Sequence, residues 1–468
     1  MYYRLLLFLI IISIGCTSSK PVKTSAENPP HPHKTSSNQN SISKKIDAYL
    51  EGHKTKYSFM GTVLVEKNDS VIYQKAIGYA SVAHNVKNSM DTKFRIGSLT
   101  KQFTASAILK LVQNGKLALT DTLDKFIPDY PEGNRITVHH LLTHSSGIQN
   151  FTSFREYWKI MKERLTLPEI IKLFKTKPLN FEPGKKFSYS NSGYILLSYI
   201  IEKVSSLPWN IYIEKELIKP AGLKNTGFAI NQIIVKNLAL GYFKSGTGDL
   251  RNAFYNDMSI PAGAGAFYST TGDLCKWVNT VRQGKILDGK YVKLLFTPFL
   301  SGYAYGWRIL KIDSQLVFTH GGAINGFLSH LFILPDKNIC ISVLSNNAST
   351  KTGKIAFDIH SILMNKPYKI PFMKKEINLP VEKMKKYEGY FITNPGKLKM
   401  RVFVKNGALF TQIKGQRPFE MFAEKKHHFF LKHPEVDFVF NFKEEKIISV
   451  KTSQGNSETL WLPVPEAK

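Results

Sequence analysis

The order in which strand and helix patterns follow one another constrains the fold of this chain more than any other feature. Two β-rich runs, 61–67 and 70–76, flank the turn signal Asn68-Asp69. Helical spacing of apolar residues begins at Ser98, and strand patterns return only over 328–344. Because strands lie at both ends and helices are inserted between them, we predict one antiparallel sheet that both ends of a single domain build.

A second part of the chain, after Pro371, carries strand patterns only. Its runs 399–404 and 408–413 flank Asn406-Gly407, the strongest short-range signal for a β-hairpin. Further β-rich segments with recurrent aromatic residues follow. These features predict a separate all-β domain over 369–468, built as a small barrel.

The first residues predict export. A short basic start and the apolar run 5–12 are typical of a secretory signal, since the run is too short to span a membrane. Gly15 before Cys16 resembles a bacterial lipoprotein processing site, although Ser13 replaces the usual leucine. We predict a signal peptide over 1–16, a location in the bacterial periplasm or cell envelope, and a membrane anchor through lipidated Cys16. Plain secretion is the alternative.

The segment 17–42 is polar and rich in proline and serine, which predicts a flexible tether. The first folded domain then extends over 43–368. Two cysteines remain besides the lipidation candidate, Cys275 and Cys340, and both lie in apolar stretches. Three cysteines are too few for a disulfide framework, so we expect these two to be buried thiols.

The formal charge of +29 arises mainly from lysines spread along the whole chain. Nucleic-acid sites concentrate basic residues on one face and depend on arginine, so we predict no nucleic-acid partner. Weak attraction to anionic envelope polymers and a lysine-rich composition without function are the alternatives. No C-x-x-C or H-E-x-x-H pattern occurs, and we predict neither a metal nor a cofactor.

Ser98 and Lys101 lie three residues apart where the helical pattern begins, and this spacing places both on one helix face. A serine alcohol becomes a strong nucleophile when a neighbouring base removes its proton. A buried lysine has its pKa lowered by desolvation and can be that base. Alone the pair is a weak signal, because Ser41 and Lys44 repeat the spacing inside the predicted tether.

Tyr189-Ser-Asn191 is the only Tyr-x-Asn sequence in the chain, and an apolar helical pattern follows it over 195–204. A phenol beside a cationic lysine has a depressed pKa and can transfer protons, while an amide can orient a substrate carbonyl. Alternatively, Tyr189 packs in the core and Asn191 caps the helix.

The segment Thr319-His320-Gly321-Gly322-Ala323 ends a strand pattern. Two glycines allow a substrate backbone to approach the strand edge, and the next amide can donate to an oxyanion. A turn with a surface histidine is the alternative.

In this order and spacing, the three motifs resemble the penicillin-recognising serine hydrolases, which include class C β-lactamases, D-alanyl-D-alanine carboxypeptidases, esterases and D-aminopeptidases. The likeness covers roughly 46–364 and includes 94–103, 136–148 and 261–274. It implies an α+β fold in which helices flank the antiparallel sheet, as in β-lactamases and transpeptidases. The C-terminal domain looks like the lipocalin-like barrel appended to some of these hydrolases.

The resemblance also implies roles. Ser98 would be the acylated nucleophile, with Lys101 and Tyr189 as a coupled pair that moves its proton. Asn191 would orient the substrate, and the backbone amides of Ser98 and Ala323 would form the oxyanion hole.

At the third motif, His320 and Gly322 would contact the substrate. Most β-lactamases and transpeptidases carry Lys-Thr-Gly there, so the histidine removes a permanent charge and a hydroxyl and weakens the case for β-lactam hydrolysis. His144 is expected to be structural.

We therefore predict a serine hydrolase that cleaves small esters or D-amino-acid peptides through an acyl-enzyme. A β-lactamase or D,D-carboxypeptidase is one alternative. A non-catalytic sensor of penicillins or peptidoglycan fragments is another. A Ser-His-Asp hydrolase is disfavoured because no G-x-S-x-G sequence occurs.

Overall fold

A six-stranded antiparallel sheet and a closed barrel are the two β structures that organise this protein. The computed structural model describes residues 37–465 apart from 246–247, 394–395, 397, 433 and 456. Cys16, the predicted signal and the predicted tether up to residue 36 lie outside the described residues.

The strands of the first domain are β1 Gly61–Lys67, β2 Ser70–Ile77, β3 Tyr79–Ser81, β4 Val86–Lys87, β5 Phe94–Arg95, β6 Gly227–Phe228, β7 Tyr242–Lys244, β8 Leu250–Asn252, β9 Phe267–Ser269, β10 Arg308–Ile312, β11 Gln315–Ile324, β12 Phe327–Leu334 and β13 Ile339–Ser345. The α-helices of the chain are α1 Ser37–Tyr57, α2 Thr100–Gln113, α3 Val138–Leu142, α4 Tyr157–Ile160, α5 Leu167–Lys172, α6 Asn191–Ser205, α7 Trp209–Ile213, α8 Ala262–Gly265, α9 Thr271–Arg282, α10 Gly289–Leu295, α11 Thr352–Leu363 and α12 Val381–Lys385.

The large sheet has the strand order β10-β11-β12-β13-β1-β2, and all neighbouring strands are antiparallel. Gly61 at the start of β1 pairs with Ser345 at the end of β13. The first hairpin of the chain thus completes a sheet made mostly of late strands, and the prediction of a sheet built by both ends of one domain is confirmed.

Helix α1 begins at Ser37, inside the range 17–42 for which composition predicts a tether. Ile46, Tyr49 and Leu50 recur on one face of this helix and are fully buried in the core beside β1 and β13. The helix therefore starts earlier than the composition predicts, because a few anchoring side chains order a segment that is otherwise polar.

Helix α2 lies in the centre of the domain and packs against α6 and α8. Most of its side chains are buried, including Thr104, Phe103 and the charged-type residue Lys101. A helix buried on nearly every side is a core helix. Any polar group on its first turn must therefore find partners inside the protein.

Cys275 on α9 and Cys340 on β13 form a disulfide, with their Cα atoms 6.0 Å apart. The expectation of two free buried thiols is wrong. The two residues are 65 positions apart, and only the packing of α9 on the sheet brings them together. Closing a loop of this length stabilises a fold by about 4 kcal/mol in the chain-entropy account.

The C-terminal domain is a closed antiparallel barrel, which confirms the predicted architecture. Asn406 and Gly407 both have positive φ, 48° and 77°, as the predicted tight hairpin turn requires. Buried side chains, among them Tyr387, Phe440 and Trp461, fill the barrel. Its strands are β14 Gly389–Thr393, β15 Lys399–Lys405, β16 Ala408–Ile413, β17 Phe419–Lys425, β18 His428–Leu431, β19 Val436–Lys443, β20 Lys446–Gln454 and β21 Ser457–Val464.

Within the described residues, none of the helices combines the length and apolar character needed to cross a membrane.

Candidate active site

Ser98 lies in a single 3-10 turn, Gly97–Leu99, that leads directly into α2. Its side chain is partly exposed, whereas Lys101 in the first turn of α2 is fully buried. Lys101 Nζ lies 3.1 Å from Ser98 Oγ. The three-residue spacing thus brings an enclosed amine against an accessible alcohol.

Two further oxygens surround the Lys101 amine. Nζ donates to Asn191 Oδ1 at 2.8 Å and to the Ala264 carbonyl oxygen at 2.7 Å. Burial lowers the pKa of Lys101 well below its usual value, so the neutral amine is favoured. A neutral amine has two N–H donors and one lone pair. Because both oxygens only accept, they take the two donors, and the lone pair is left for the Ser98 hydroxyl.

Asn191 is the first residue of α6, and three contacts set its orientation. Its backbone N–H donates to Asn150 Oδ1 at 3.0 Å, and its side-chain Nδ2 donates to Thr152 Oγ1 at 3.1 Å. The amide oxygen is therefore the atom that faces Lys101. The structure places Asn191 in the site, where it orients the base in addition to lining the adjoining cavity.

The Ala264 carbonyl could not be predicted, because a backbone oxygen carries no residue-type signal. Thr104 Oγ1 donates to the Gly263 carbonyl at 2.8 Å, and the Gly263 N–H donates to Ser198 Oγ at 3.2 Å. A Cβ at Gly263 would collide with Ser198 Oγ. The glycines of 261–266 thus let α8 press against α2 and α6, and this packing aims the Ala264 carbonyl at the amine.

The Tyr189 side chain lies beside Ser98, and its ring centroid lies 4.9 Å from Lys101 Nζ. Burial raises the pKa of Tyr189 above its usual value, and the neighbouring Ser98 side chain only partly opposes that rise. The expected depression of its pKa by a lysine cation is therefore wrong. Burial favours the neutral form of both groups, so Lys101 does not lower the pKa of Tyr189, and the phenol keeps its proton at neutral pH.

Backbone packing brings Ala323 next to the nucleophile. Gly97 has φ of 52°, in the left-handed region, and a Cβ there would lie 2.7 Å from the Ala323 backbone N. A Cβ at Gly322 would collide with the Ile96 carbonyl oxygen and lie 3.0 Å from the Ser98 backbone N. Two glycines therefore interlock β11 with the Ser98 turn, which sets the amides of Ser98 and Ala323 side by side.

Gly322 has a packing role in addition to the predicted substrate contact, which stays a prediction. It is buried against protein backbone, whereas its neighbours Gly321 and Ala323 are exposed. Ser329 Oγ donates to the Ile96 carbonyl at 2.7 Å and reinforces the same junction. The absence of a side chain at Gly322 serves packing, and sequence alone could not distinguish this from access for a ligand.

His320 is buried and faces other protein groups. Its Nδ1 donates to the Gly321 carbonyl at 2.7 Å, so Nε2 accepts from the Tyr303 hydroxyl at 3.0 Å. Burial lowers the pKa of His320 to about 3, which keeps it neutral. The alternative of a surface histidine is wrong, since His320 is buried. Its contact with a substrate stays a prediction.

An aromatic cluster packs behind Tyr189. His144 and Tyr303 have ring centroids 4.2 Å and 6.1 Å from that of Tyr189. Arg308, exposed on β10, lies 5.6 Å from the Phe187 ring centroid and 5.8 Å from that of Tyr303. No sequence pattern points to Arg308, because only the pairing of β10 with β11 brings it beside the third motif.

A cavity of about 350 Å³ opens in front of Ser98. Among the described residues, none of the side chains in its wall carries a charge. The polar members are Ser98, Thr152, Asn191 and Asn325, and the larger apolar members are Phe151, Tyr157, Pro261, Ile324, Phe327 and Leu328. The described part of the chain contains no group of three or more His, Cys, Asp or Glu side chains that could hold a metal ion.

An alcohol, an enclosed amine and a phenol thus meet beside an uncharged cavity, on a fold with a large antiparallel sheet and a buried central helix. The family model described as beta-lactamase matches residues 46–360. The chain therefore belongs to the beta-lactamase family, whose members include serine hydrolases.

Individual relatives agree with this assignment. PbpX of Bacillus subtilis (strain 168), named as a candidate penicillin-binding protein, is 30% identical over 68% of this chain and 78% of its own length. The octameric penicillin-binding protein homologue from Pyrococcus abyssi is 26% identical with a TM-score of 0.66, covering 89% of this chain and 99% of that one. D-amino acid amidase from Ochrobactrum anthropi, at 24% identity and a TM-score of 0.62, shares the fold over 70% of this chain and 99% of its own.

Proposed function

We propose that this protein hydrolyses an amide or ester through an acyl-enzyme on Ser98. The observation that carries the proposal is the environment of the Lys101 amine. Two oxygens that can only accept lie on the amine, burial favours its neutral form, and Nζ lies 3.1 Å from Ser98 Oγ. A binding protein has no need for a base held in this way.

The proposed first step is acylation. The Ser98 proton moves to Lys101 Nζ while Oγ forms a bond to the substrate carbonyl carbon, and the carbonyl oxygen becomes an oxyanion. The backbone amides of Ser98 and Ala323 donate to that oxygen, and removing one such donor typically costs about 10²–10³-fold in rate. Tyr189 donates its proton to the leaving nitrogen or oxygen as the bond from carbon breaks.

Deacylation reverses these roles. Lys101, now protonated, returns its proton to the Tyr189 phenolate. The neutral amine and phenol are thereby restored, and the pair then deprotonates a water that attacks the acyl-enzyme ester. Water adds to the carbonyl carbon, the bond to Ser98 Oγ breaks, and Oγ recovers a proton. Because Lys101 and Tyr189 exchange one proton, their titration belongs to the pair.

The cavity defines the substrate class. An uncharged wall with large apolar side chains suits an acyl group without a formal charge, and Thr152, Asn191 and Asn325 offer hydrogen bonds that fix its orientation. Small esters and amides or peptides of apolar D-amino acids are the substrates we propose. The shared fold of D-amino acid amidase is consistent with this class.

A D,D-carboxypeptidase acting on peptidoglycan fragments is the second candidate, and Arg308 is the observation that favours it. This exposed guanidinium lies on β10 opposite Thr319 and is a permanent charge beside the neutral His320. Guanidinium groups bind carboxylates through paired hydrogen bonds. Arg308→Gln should raise KM for peptides that end in a free carboxylate and leave KM for the corresponding peptide amides unchanged.

We also propose that the chain is exported and lipid-anchored through Cys16. The disulfide between Cys275 and Cys340 supports export, because disulfides persist in oxidising compartments and are rare in the cytosol. Metabolic labelling with an azido fatty acid should modify the wild-type chain and not Cys16→Ser.

Active-site labelling tests the hydrolase. A fluorescent fluorophosphonate should label the wild type and not Ser98→Ala. Ser41→Ala is the matched control, since Ser41 and Lys44 repeat the spacing on α1 and Ser41 is exposed. Equal labelling of Ser98→Ala and wild type would refute the nucleophile assignment.

A fluorescent penicillin separates the candidates. Stable labelling without turnover of esters or D-amino-acid amides would favour a penicillin-binding sensor, and rapid cephalosporin turnover would favour a β-lactamase. Turnover of esters and D-amino-acid amides, with neither of those results, is the outcome we expect.

A further inference from the structure

His144 is a buried titratable residue that the proposed mechanism does not use, and it lies directly against Tyr189. We propose that His144 is a positioning residue that sets the orientation of the Tyr189 side chain toward Ser98. The inference rests on the proposed function, because it matters only if Tyr189 transfers a proton to and from the substrate.

Two hydrogen bonds tie His144 to the backbone on either side of Tyr189. The His144 carbonyl oxygen accepts from the Ser188 N–H at 2.9 Å, and its ring Nδ1 accepts from the Ser190 N–H at 3.2 Å. One residue thus holds both neighbours of the phenol-bearing residue. The backbone on which the Tyr189 side chain is mounted cannot shift without breaking one of these bonds.

The His144 ring fixes the side chain as well as the backbone. Its centroid lies 4.2 Å from that of Tyr189. The ring centroids of Tyr303 and Tyr194 also lie close to it, at 4.6 Å and 5.2 Å. In a close-packed interior such a ring has little freedom to rotate. The Tyr189 ring therefore packs against a His144 ring that neighbouring aromatic side chains hold in place.

Local conformation at His144 is unfavourable in two respects. Its φ is 56°, in the left-handed region that a residue with a side chain rarely adopts. Since Nδ1 accepts a hydrogen bond, Nε2 carries the ring proton, and this buried N–H has no hydrogen-bond partner among the described residues. Backbone strain of this kind persists where the surrounding structure enforces it, often at functional sites.

Proton transfer by His144 itself is disfavoured. Its pKa is lowered well below the usual value, chiefly by burial, and the permanent charge of Arg308 acts in the same direction. The ring stays neutral, and it is Tyr189, rather than His144, that lies beside Ser98. The role that remains is to position the phenol.

The test is a double-mutant comparison with Tyr189→Phe, which removes the hydroxyl and keeps the ring. His144→Ala should lower kcat for an ester or D-amino-acid amide by about 10²-fold, the size of effect that a displacement of a catalytic group by one ångström produces. KM should change by less than about 3-fold, because His144 does not line the cavity. In the Tyr189→Phe background the same substitution should lower kcat by less than about 3-fold.

His144→Asn is the conservative variant. Asparagine tolerates a left-handed backbone and offers an amide oxygen for the Ser190 N–H, but it has no ring. It should recover part of the lost kcat, and it keeps the test usable if the alanine variant does not fold. The melting temperature of every variant is measured, and only variants that melt above the assay temperature are compared.

Three results would overturn the inference. An equal loss of kcat with and without the Tyr189 hydroxyl would show a general structural role. Unchanged kcat in both folded His144 variants would show no role. An unlabelled wild type in the fluorophosphonate experiment would remove the proposed function and this inference together, and is thereby distinguishable from the first two.

Discussion

Two buried polar clusters meet at Ser98, and they use burial in opposite ways. On one side, Lys101 is enclosed by acceptors that satisfy both donors of its neutral amine. On the other side, His144 and His320 are enclosed by aromatic rings and held through neighbouring backbone groups. Desolvation lowers the pKa of all three and so favours their neutral forms.

The difference lies in where the free lone pair points. At Lys101 it is left for the Ser98 hydroxyl, so burial, which lowers the pKa of the amine, favours a form that can accept a proton there. At His320 both ring nitrogens hydrogen-bond to protein groups, so the desolvation of this ring serves only to maintain the local structure. Burial by itself therefore does not identify a catalytic group, and the partners of the buried atom decide.

The largest expected effect breaks the first cluster. Lys101→Met keeps the length of the side chain, removes the base and leaves two buried acceptors without donors. We expect kcat/KM to fall by about 10⁴-fold or more, as when a member of a catalytic unit is removed. Steady-state kinetics on the folded variant, with Ser41→Ala as reference, provide the measurement. A loss smaller than tenfold would show that another group is the base.

The second effect tests the backbone junction between the clusters. Gly322→Ala forces a Cβ into the Ile96 carbonyl oxygen and should displace the Ala323 amide, lowering kcat by about 10²–10³-fold. Gly321→Ala is the matched control, because its nearest heavy atom would be His330 Nδ1 at 3.2 Å on an exposed part of the strand. Similar kinetics for the two alanine variants would exclude the proposed interlock.

The third effect tests the structural role of His320 through the pH dependence of the free energy of unfolding. Its pKa is about 3 in the folded chain, against an ordinary histidine value of 6.5 in the unfolded chain, so between these values the unfolded chain binds the additional proton. Stability from this residue is present above about pH 6.5 and is lost as the pH falls, by about 2 kcal/mol between about pH 7 and pH 5. His330 and His53 add a similar trend, since each has its pKa lowered to about 4.

Denaturant unfolding of the wild type and His320→Asn at both pH values measures the His320 share. The asparagine variant should show a shallower loss of stability and a kcat at neutral pH within tenfold of wild type. Parallel stability curves, or a loss of kcat like that of Lys101→Met, would contradict the scaffold role of His320.

The smallest effect concerns the hydrogen bond between Tyr303 and His320. Tyr303→Phe removes the donor to Nε2 at 3.0 Å and should lower the free energy of unfolding by about 1 kcal/mol. The rate should stay within about threefold of wild type, because the hydroxyl does not face the nucleophile. A kinetic defect that exceeds the loss of stability would mean that this cluster takes part in chemistry.

Local chemistry made several features of this protein predictable from its sequence. Asn406-Gly407 adopts the backbone of a tight hairpin turn because asparagine and glycine tolerate positive φ, and the spacing of Ser98 and Lys101 produces a contact because helix geometry repeats. The order of strand and helix patterns was enough to predict the sheet and the barrel.

Long-range packing decided the rest. Three contacts join segments that are far apart in the chain, so no local pattern contains them. They are the hydrogen bond from Lys101 to the Ala264 carbonyl, the Cys275–Cys340 disulfide and the packing of Gly322 against Ile96. The direction in which His320 points depends on β10 and the aromatic rings around it. Residue types and spacing determined which chemical groups are available. Tertiary structure decided which of them gather around Ser98, because protonation and orientation depend on the atoms that surround a buried side chain.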